Sequence, residues 1–455
     1  MVPEVLRALF LDPGDWIHRR VESVSMSPDG VTRREISVDV DLAAAAPWPA
    51  DAAGRLLVPA TIHAKRPLRS FSASCNGEPV PVLTTEDNAE LAETLLRSLV
   101  PPQLPQAEAE ALVGRSIPEL VHAPEVFVDD VIGDFRAVCD RLRAVVGALI
   151  DQGRLPAGAA ATWDADLALF TTVAYQLARG FLLTFVLPWE LAGRRVLLAY
   201  AMDAEYAAGR RPSLRDRLRH SWRPWVGRVG LQDLPACRSF HVEVTVPAEV
   251  RLHEFTALAA NGADGAGDPA VARVLATDRT VRRWSGAVRG HLALRPTSRF
   301  DDAVCELVIL PARQGLTAFA AVAVTAVTVL LVLVGVVSRA PQHVLDPSWE
   351  GPSTATSVVM SVVAVLLSWV NRRPEHDIAV RVLRPLRYAL NLEAVVMLLL
   401  AGAASIPLTP GAGTVYWTLL VLAHLLALAL VVRSWVVRGW VSSGRFSIRA
   451  RHPGS

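Results

Sequence analysis

Glu393 and His424 are the only Asp, Glu, His, Lys or Arg residues inside four long apolar blocks that fill most of the last third of the chain. A titratable side chain in hydrocarbon is costly, so each is a candidate for proton or ion chemistry. Each also has a plainer reading. Glu393 lies a few residues from the expected cytoplasmic end of its block, where it can snorkel or pair with Arg387, and a neutral His424 can donate to a carbonyl on a neighbouring helix. One acid and one histidine spread over four spans make a sparse relay.

A second chemistry is offered by residues 210–230. Seven arginines surround Trp222 and Trp225 there, with Asp216 as the single opposing charge. Arginine interleaved with tryptophan suits nucleic-acid phosphates, anionic lipid headgroups or an acidic protein partner. Next to a membrane the lipid is favoured, because the negative inner leaflet rewards each nearby cation by about 1 kcal/mol. Arg219, Trp222, Arg223 and Trp225 are therefore the candidate contact residues for lipid or a protein partner, and no nucleic acid is expected. The alternative is a solvated loop whose tryptophans pack back on their own domain.

Lys65 is the only lysine among 46 basic residues. That excludes a phosphate-cradling Gly-Lys-Ser/Thr loop and makes Lys65 the one possible Schiff-base lysine. The chain has no Gly-x-Ser-x-Gly elbow, no His-Glu-x-x-His, no kinase signature and no metal-spaced His/Cys cluster. Gly262, Gly265 and Gly267 miss the dinucleotide spacing. His241 and His253 fall on or near adjacent expected strands, where a histidine is ordinarily unliganded. Asp129, Asp130 and Asp134, like Asp301, Asp302 and Glu306, read as solvated faces. No catalytic residue, cofactor or metal is expected.

The elements that must position these residues begin with the apolar blocks 316–337, 353–370, 388–406 and 414–432. At 1.5 Å per residue each reads as a membrane span across a core of roughly 30 Å. Five arginines lie in 371–387 and five more follow the last block, whereas 338–352 holds one and 407–413 holds none. By the positive-inside rule both termini and the middle loop face the cytoplasm, which makes this a multi-pass protein of the cell (plasma) membrane. Trp349, Trp369, Tyr388, Trp417, Trp435 and Trp440 fall where the interfaces should lie. Ala321, Thr325, Gly402 and Ala403 are small enough to allow close helix contacts, within the bundle or in a homo-oligomer.

About 310 residues precede the first span, enough for one or two soluble domains, and the net charge of +2 carries no nucleic-acid signal. Four scattered cysteines suit a reducing compartment, and no signal peptide is expected at the start. Residues 31–42, 55–63, 68–74 and 80–83 read as strands, with Asn76-Gly77 as a turn, and Thr84 or Thr85 caps a helix through 99. An apolar stripe at Val128, Val131, Phe135, Val138, Leu142, Val145 and Leu149 predicts a long helix over 124–150, lying on a sheet or forming a coiled-coil seam. A helix over 164–178 and strands at 180–187, 194–201, 239–246, 286–294 and 304–310 follow. The expected architecture is α+β. An N-terminal domain (1–105) and a second β-rich domain (106–312) precede a four-helix transmembrane bundle (313–441) and a basic tail (442–455).

The opening Asp12-Pro-Gly-Asp-Trp-Ile-His-Arg-Arg, the stretches Lys65-Arg-Pro-Leu-Arg and Val82-Leu-Thr-Thr-Glu-Asp-Asn-Ala-Glu-Leu, and the entry into the first span resemble a group of actinobacterial multi-pass membrane proteins. The resemblance covers roughly the first 90 residues and the membrane junction. It implies a compartment and an architecture, and no activity. The sequence thus points to a non-enzymatic membrane protein whose cytoplasmic portion serves as sensor, scaffold or docking module. The alternatives are a small channel or transporter subunit built on Glu393 and His424, and a membrane-bound enzyme of unspecified reaction.

Overall fold

The computed structural model describes residues 13–26, 31–43, 50–51, 53–65, 68–100, 104, 106–124, 127–152, 159–204, 225–231, 237–259, 273–274, 276–284, 287–294, 303–337, 360–363, 365, 377–403 and 410–442. In chain order the strands are β1 (Ile17–Met26), β2 (Thr32–Asp41), β3 (Leu56–Ala64), β4 (Arg69–Cys75), β5 (Glu78–Pro79), β6 (Gly180–Leu187) and β7 (Arg195–Ala204). They continue with β8 (Trp225–Leu231), β9 (Ser239–Val246), β10 (Val250–Ala259), β11 (Arg273–Val274), β12 (Ala276–Trp284), β13 (Ala287–Leu294) and β14 (Ala303–Pro311). The helices used below are α1 (Thr85–Leu99), α2 (Ile117–His122), α3 (Val128–Asp151), α4 (Ala159–Arg179), α5 (Leu316–Val337), α6 (Asp377–Ala403) and α7 (Pro410–Ser442). The chain is a mixed α+β protein, β-rich in its N-terminal part and helical at its C-terminal end.

An eight-stranded sheet runs β12-β13-β9-β1-β2-β7-β4-β5, a four-stranded sheet runs β11-β10-β14-β8, and β3 and β6 form a two-stranded ribbon. Strands from both sides of residue 105 share the large sheet, where β1 pairs antiparallel with β2 and parallel with β9. The expected boundary at 105–106 therefore does not mark the edge of a sheet. Alternation supplies the layers: Ile36, Val38, Phe240 and Val242 face inward and share one core with Phe255, Leu307 and Ile309 of the second sheet and with Val58 and Phe185 of the ribbon. Gly290 lets the sheets approach, since a Cβ there would stand 2.4 Å from Leu252 and 2.9 Å from Phe255.

The ribbon is buried on both faces. Its other face contributes Ile62 and Leu182 to a separate core made by α1, α2, α3 and α4. The long helix α3 buries Val128, Ile132, Phe135, Cys139, Leu142 and Val146, a stripe one residue round from the expected one. Its partner within the chain is α4, through Phe135 against Phe170 and Tyr175, rather than a sheet. Thr84 caps α1, accepting from the Asp87 amide. Asn76 and Gly77 take positive φ in the expected hairpin turn.

Strand β1 escapes a hydropathy reading because two of its inward residues are charged. Arg20 and Glu22 are 1% and 0% exposed, and Glu22 meets Arg34 of β2 at 2.5 Å. The Arg20 guanidinium stands 4.0 Å from the other Glu22 oxygen, donates to Thr61 Oγ1 of β3 at 3.3 Å and lies over the Phe240 ring. Two cations and one anion thus tie the large sheet to the ribbon from inside. Cys305 of β14 closes the same space, its thiol pushed up by burial and by the Glu22 carboxylate.

At the C-terminal end α5 spans the residues expected of the first block. Both α6 and α7 begin earlier than the third and fourth blocks. Of the second block only 360–363 and 365 are described, and they are helical. The windows Leu316–Leu333 and Gly411–Val436 are long and apolar enough to cross a membrane. Helix α5 buries Ala320, Val324 and Val327 while Val322 is 67% exposed, and α7 buries Leu420 and Ala427 while Val415 is 61% exposed. Helix α6 packs against both and also touches β14.

Removing the Glu22 charge leaves two buried guanidinium groups without their counter-ion. Glu22→Gln is expected to destabilise the fold by about 3–5 kcal/mol. Glu35→Gln on the outer face of the same sheet is expected to change stability by less than about 0.5 kcal/mol. Unfolding midpoints of the purified protein check both.

Candidate functional site

Three helices bring Thr328, Glu393 and His424 together. Glu393 of α6 and His424 of α7 are 0% and 5% exposed, and His424 Nδ1 lies 2.9 Å from Glu393 Oε1. On the other side of the ring, His424 Nε2 lies 3.0 Å from the Thr328 hydroxyl of α5. That hydroxyl donates to the Val324 carbonyl at 2.8 Å, so toward the imidazole its oxygen is the acceptor and Nε2 carries a hydrogen. Nδ1 then accepts from a protonated Glu393 or donates to its carboxylate. Both arrangements hold the same number of protons, so one proton is shared between acid and imidazole.

This geometry corrects the sequence reading of both residues. Glu393 does not pair with Arg387, because six residues of helix place the two about 120° apart around the axis. Since α6 starts at Asp377, Glu393 also sits near the middle of its helix rather than at an end. His424 finds a carboxyl and a hydroxyl rather than a neighbouring carbonyl. Thr328 was invisible to sequence reasoning, because a threonine in an apolar block ordinarily bonds back to its own helix.

A second site lies in the soluble part. Lys65, immediately after β3, donates to the Val121 carbonyl at 2.6 Å and the Ala123 carbonyl at 3.0 Å, at the end of α2. It lines a cleft of about 580 Å³ between α1, α2 and β6. Burial pushes Lys65 down to about 8.

Of the expected contact residues, Arg219, Trp222 and Arg223 lie outside the described residues. Trp225 opens β8, where it stands opposite Ile309 of β14, so the end of the basic stretch is an edge strand. His241 meets His291 rather than His253: Nδ1 of His241 is 3.0 Å from Nε2 of His291, with the rings stacked, and Ser239 holds the other nitrogen at 2.8 Å. Burial, Arg19 and His291 together hold His241 below the ordinary histidine value. Asp129 is paired with Arg179. Among the described residues no group of three or more His, Cys, Asp or Glu is placed to hold a metal.

No protein-family model matches the chain, and no curated protein matches it. Two solved structures are similar in part. One is a mutant M1 zinc metallopeptidase from Deinococcus radiodurans, bound to a Tyr-Ser-Ala substrate. It is 12% identical over 64% of this chain and 42% of its own, with a TM-score of 0.22. The other, from Parabacteroides distasonis, is provisionally assigned as a protease and is 12% identical over 86% of this chain and 59% of its own, with a TM-score of 0.24. The chain thus spans less than two-thirds of either. At these scores the overlap carries no argument about fold or chemistry.

Truncating His424 strands a buried carboxyl. His424→Ala is expected to cost about 1–3 kcal/mol. A double-mutant cycle with Glu393→Gln is expected to give a coupling of about 0.5–3 kcal/mol, read from thermal unfolding in detergent. Additive effects of the two changes would show that the pair is not made.

Proposed function

We propose that the chain is a multi-pass protein of the plasma membrane, in which the block 353–370 joins α5, α6 and α7 in a four-helix bundle. Its β-rich part and helical layer are held at the cytoplasmic face, where they act as a non-enzymatic sensor, scaffold or docking module for a protein or lipid partner. One observation carries this reading: α5 and α7 turn wide apolar faces outward, and β14 runs into α5 through only residues 312–315. Bare valine and leucine on that scale are stable in acyl chains and a liability in water. A four-residue connection leaves the sandwich little freedom to leave the surface. The arginine-rich segments 371–387 and 433–451 support the cytoplasmic orientation, and the resemblance of the opening segments to actinobacterial multi-pass proteins agrees with it.

A second reading follows from the Thr328–His424–Glu393 group. A shared proton held by three helices suits a subunit of a channel or transporter. A proton flux in proteoliposomes that disappears in His424→Ala supports it; equal flux from both proteins rules it out.

Orientation and contact are tested separately. A cysteine placed at the exposed Arg313 is expected to react with a membrane-impermeant maleimide in inside-out vesicles and to stay unlabelled in intact cells, and the opposite pattern places the sandwich outside. The native thiols give little background, because Cys75, Cys139, Cys237 and Cys305 are all buried. Replacing Arg219, Trp222, Arg223 and Trp225 together with alanine is expected to abolish co-purification of anionic lipid or a protein partner. Unchanged recovery removes those four residues from the contact.

A further inference from the structure

The cleft beside Lys65 has the volume of a small-molecule site. Its walls mix apolar Ala89, Ala92 and Phe181 with polar Asn88, the acidic Glu86 and the titratable His122. Lysine at the C-terminal end of a helix has an ordinary role there, since the last carbonyls of α2 attract a cation. Two features go beyond that role. No carboxylate among the described residues lies within ion-pair distance of Nζ, so the two backbone carbonyls are its hydrogen-bond acceptors there. Nζ has two acceptors, the carbonyls of Val121 and Ala123, and these match the two N–H groups of a neutral amine, which leaves its lone pair free.

We propose that this cleft binds a small carbonyl compound, and that the Lys65 amine captures it as an imine. The lone pair of Nζ adds to the carbonyl carbon and forms the carbon–nitrogen bond. A proton passes from nitrogen to the former carbonyl oxygen, giving a carbinolamine. The carbon–oxygen bond then breaks, water leaves, and the carbon–nitrogen double bond forms. No electrons enter or leave, and the second product is water. The lowered basicity of Lys65 places a substantial share of neutral amine at neutral pH. The inference stands apart from the membrane reading and fails or holds independently of it.

The probe is glycolaldehyde, a carbonyl compound with an adjacent hydroxyl, applied with sodium cyanoborohydride to the full chain in detergent. Because the chain has one lysine, peptide mass spectrometry assigns the reduced adduct without ambiguity, and Nα-acetyl-lysine serves as the unstructured reference. At pH 7.5 Lys65 is expected to be alkylated at least about tenfold faster than the reference, a conservative share of the roughly hundredfold difference in neutral amine that the shift from 10.5 to about 8 implies. The rate should saturate with glycolaldehyde and rise through about pH 8 rather than near 10.5. Ala89→Trp, which fills the cleft and keeps Lys65, is expected to remove saturation and at least about nine-tenths of the rate. Lys65→Arg, which keeps donors to both carbonyls, should lose the adduct and retain the fold. A wild-type rate no faster than the reference, or one that never saturates, overturns the proposal, as does an Ala89→Trp rate equal to wild type in a folded protein.

Discussion

The soluble part is organised around a charge problem. Arg20, Glu22 and Arg34 sit between sheets, out of water, where an unpaired charge is costly and each is offset by its neighbours. Their contacts join three successive strands, β1, β2 and β3, and Arg20 reaches β9, distant in sequence, by lying over Phe240. Strand β1, which carries two of the three charges, is also the strand through which the two halves of the large sheet are joined. An apolar substitute would bury as much surface. It would not select between neighbouring registers in the way that a paired guanidinium and carboxylate can.

From that centre the layers follow outward. The β3–β6 ribbon has a sandwich on one face and helices on the other, so it reads as nearly continuous apolar sequence rather than an alternating one. The residue after β3 is Lys65, whose side chain reaches the end of α2 before the chain turns back to β4 of the large sheet. The cleft is therefore a by-product of layering. Helices packed on one face of a narrow ribbon leave a gap at its end, and the chain places its single lysine there.

The helical end repeats the charge problem in a simpler form. Glu393 and His424 share one proton across α6 and α7, and Thr328 fixes the imidazole from α5. The remaining surface of α5 and α7 is apolar and outward-facing, the inverse of a soluble bundle, so the polar contacts lie inside and the apolar ones outside. Both the anchoring and the transport readings draw on this inversion, one on the outer face and the other on the inner group.

Much of the local structure was legible in the sequence, because it rests on nearest-neighbour physics. Residues 316–337 form one helix because 22 uncharged apolar residues satisfy their own backbone most easily that way, and β6 and β9 follow from their hydropathy. The Thr84 cap and the Asn76-Gly77 turn are short-range in the same sense. What the tertiary structure decided is which distant residues meet. Strand β1 was hidden because buried Arg20 and Glu22 look like surface residues until Arg34 is placed beside them. The buried stripe of α3 was set by the rings of α4, and the partners of Glu393 and His424 by the packing of three helices. Pairings of this kind depend on where separate elements come to rest, and one-dimensional periodicity carries no record of that.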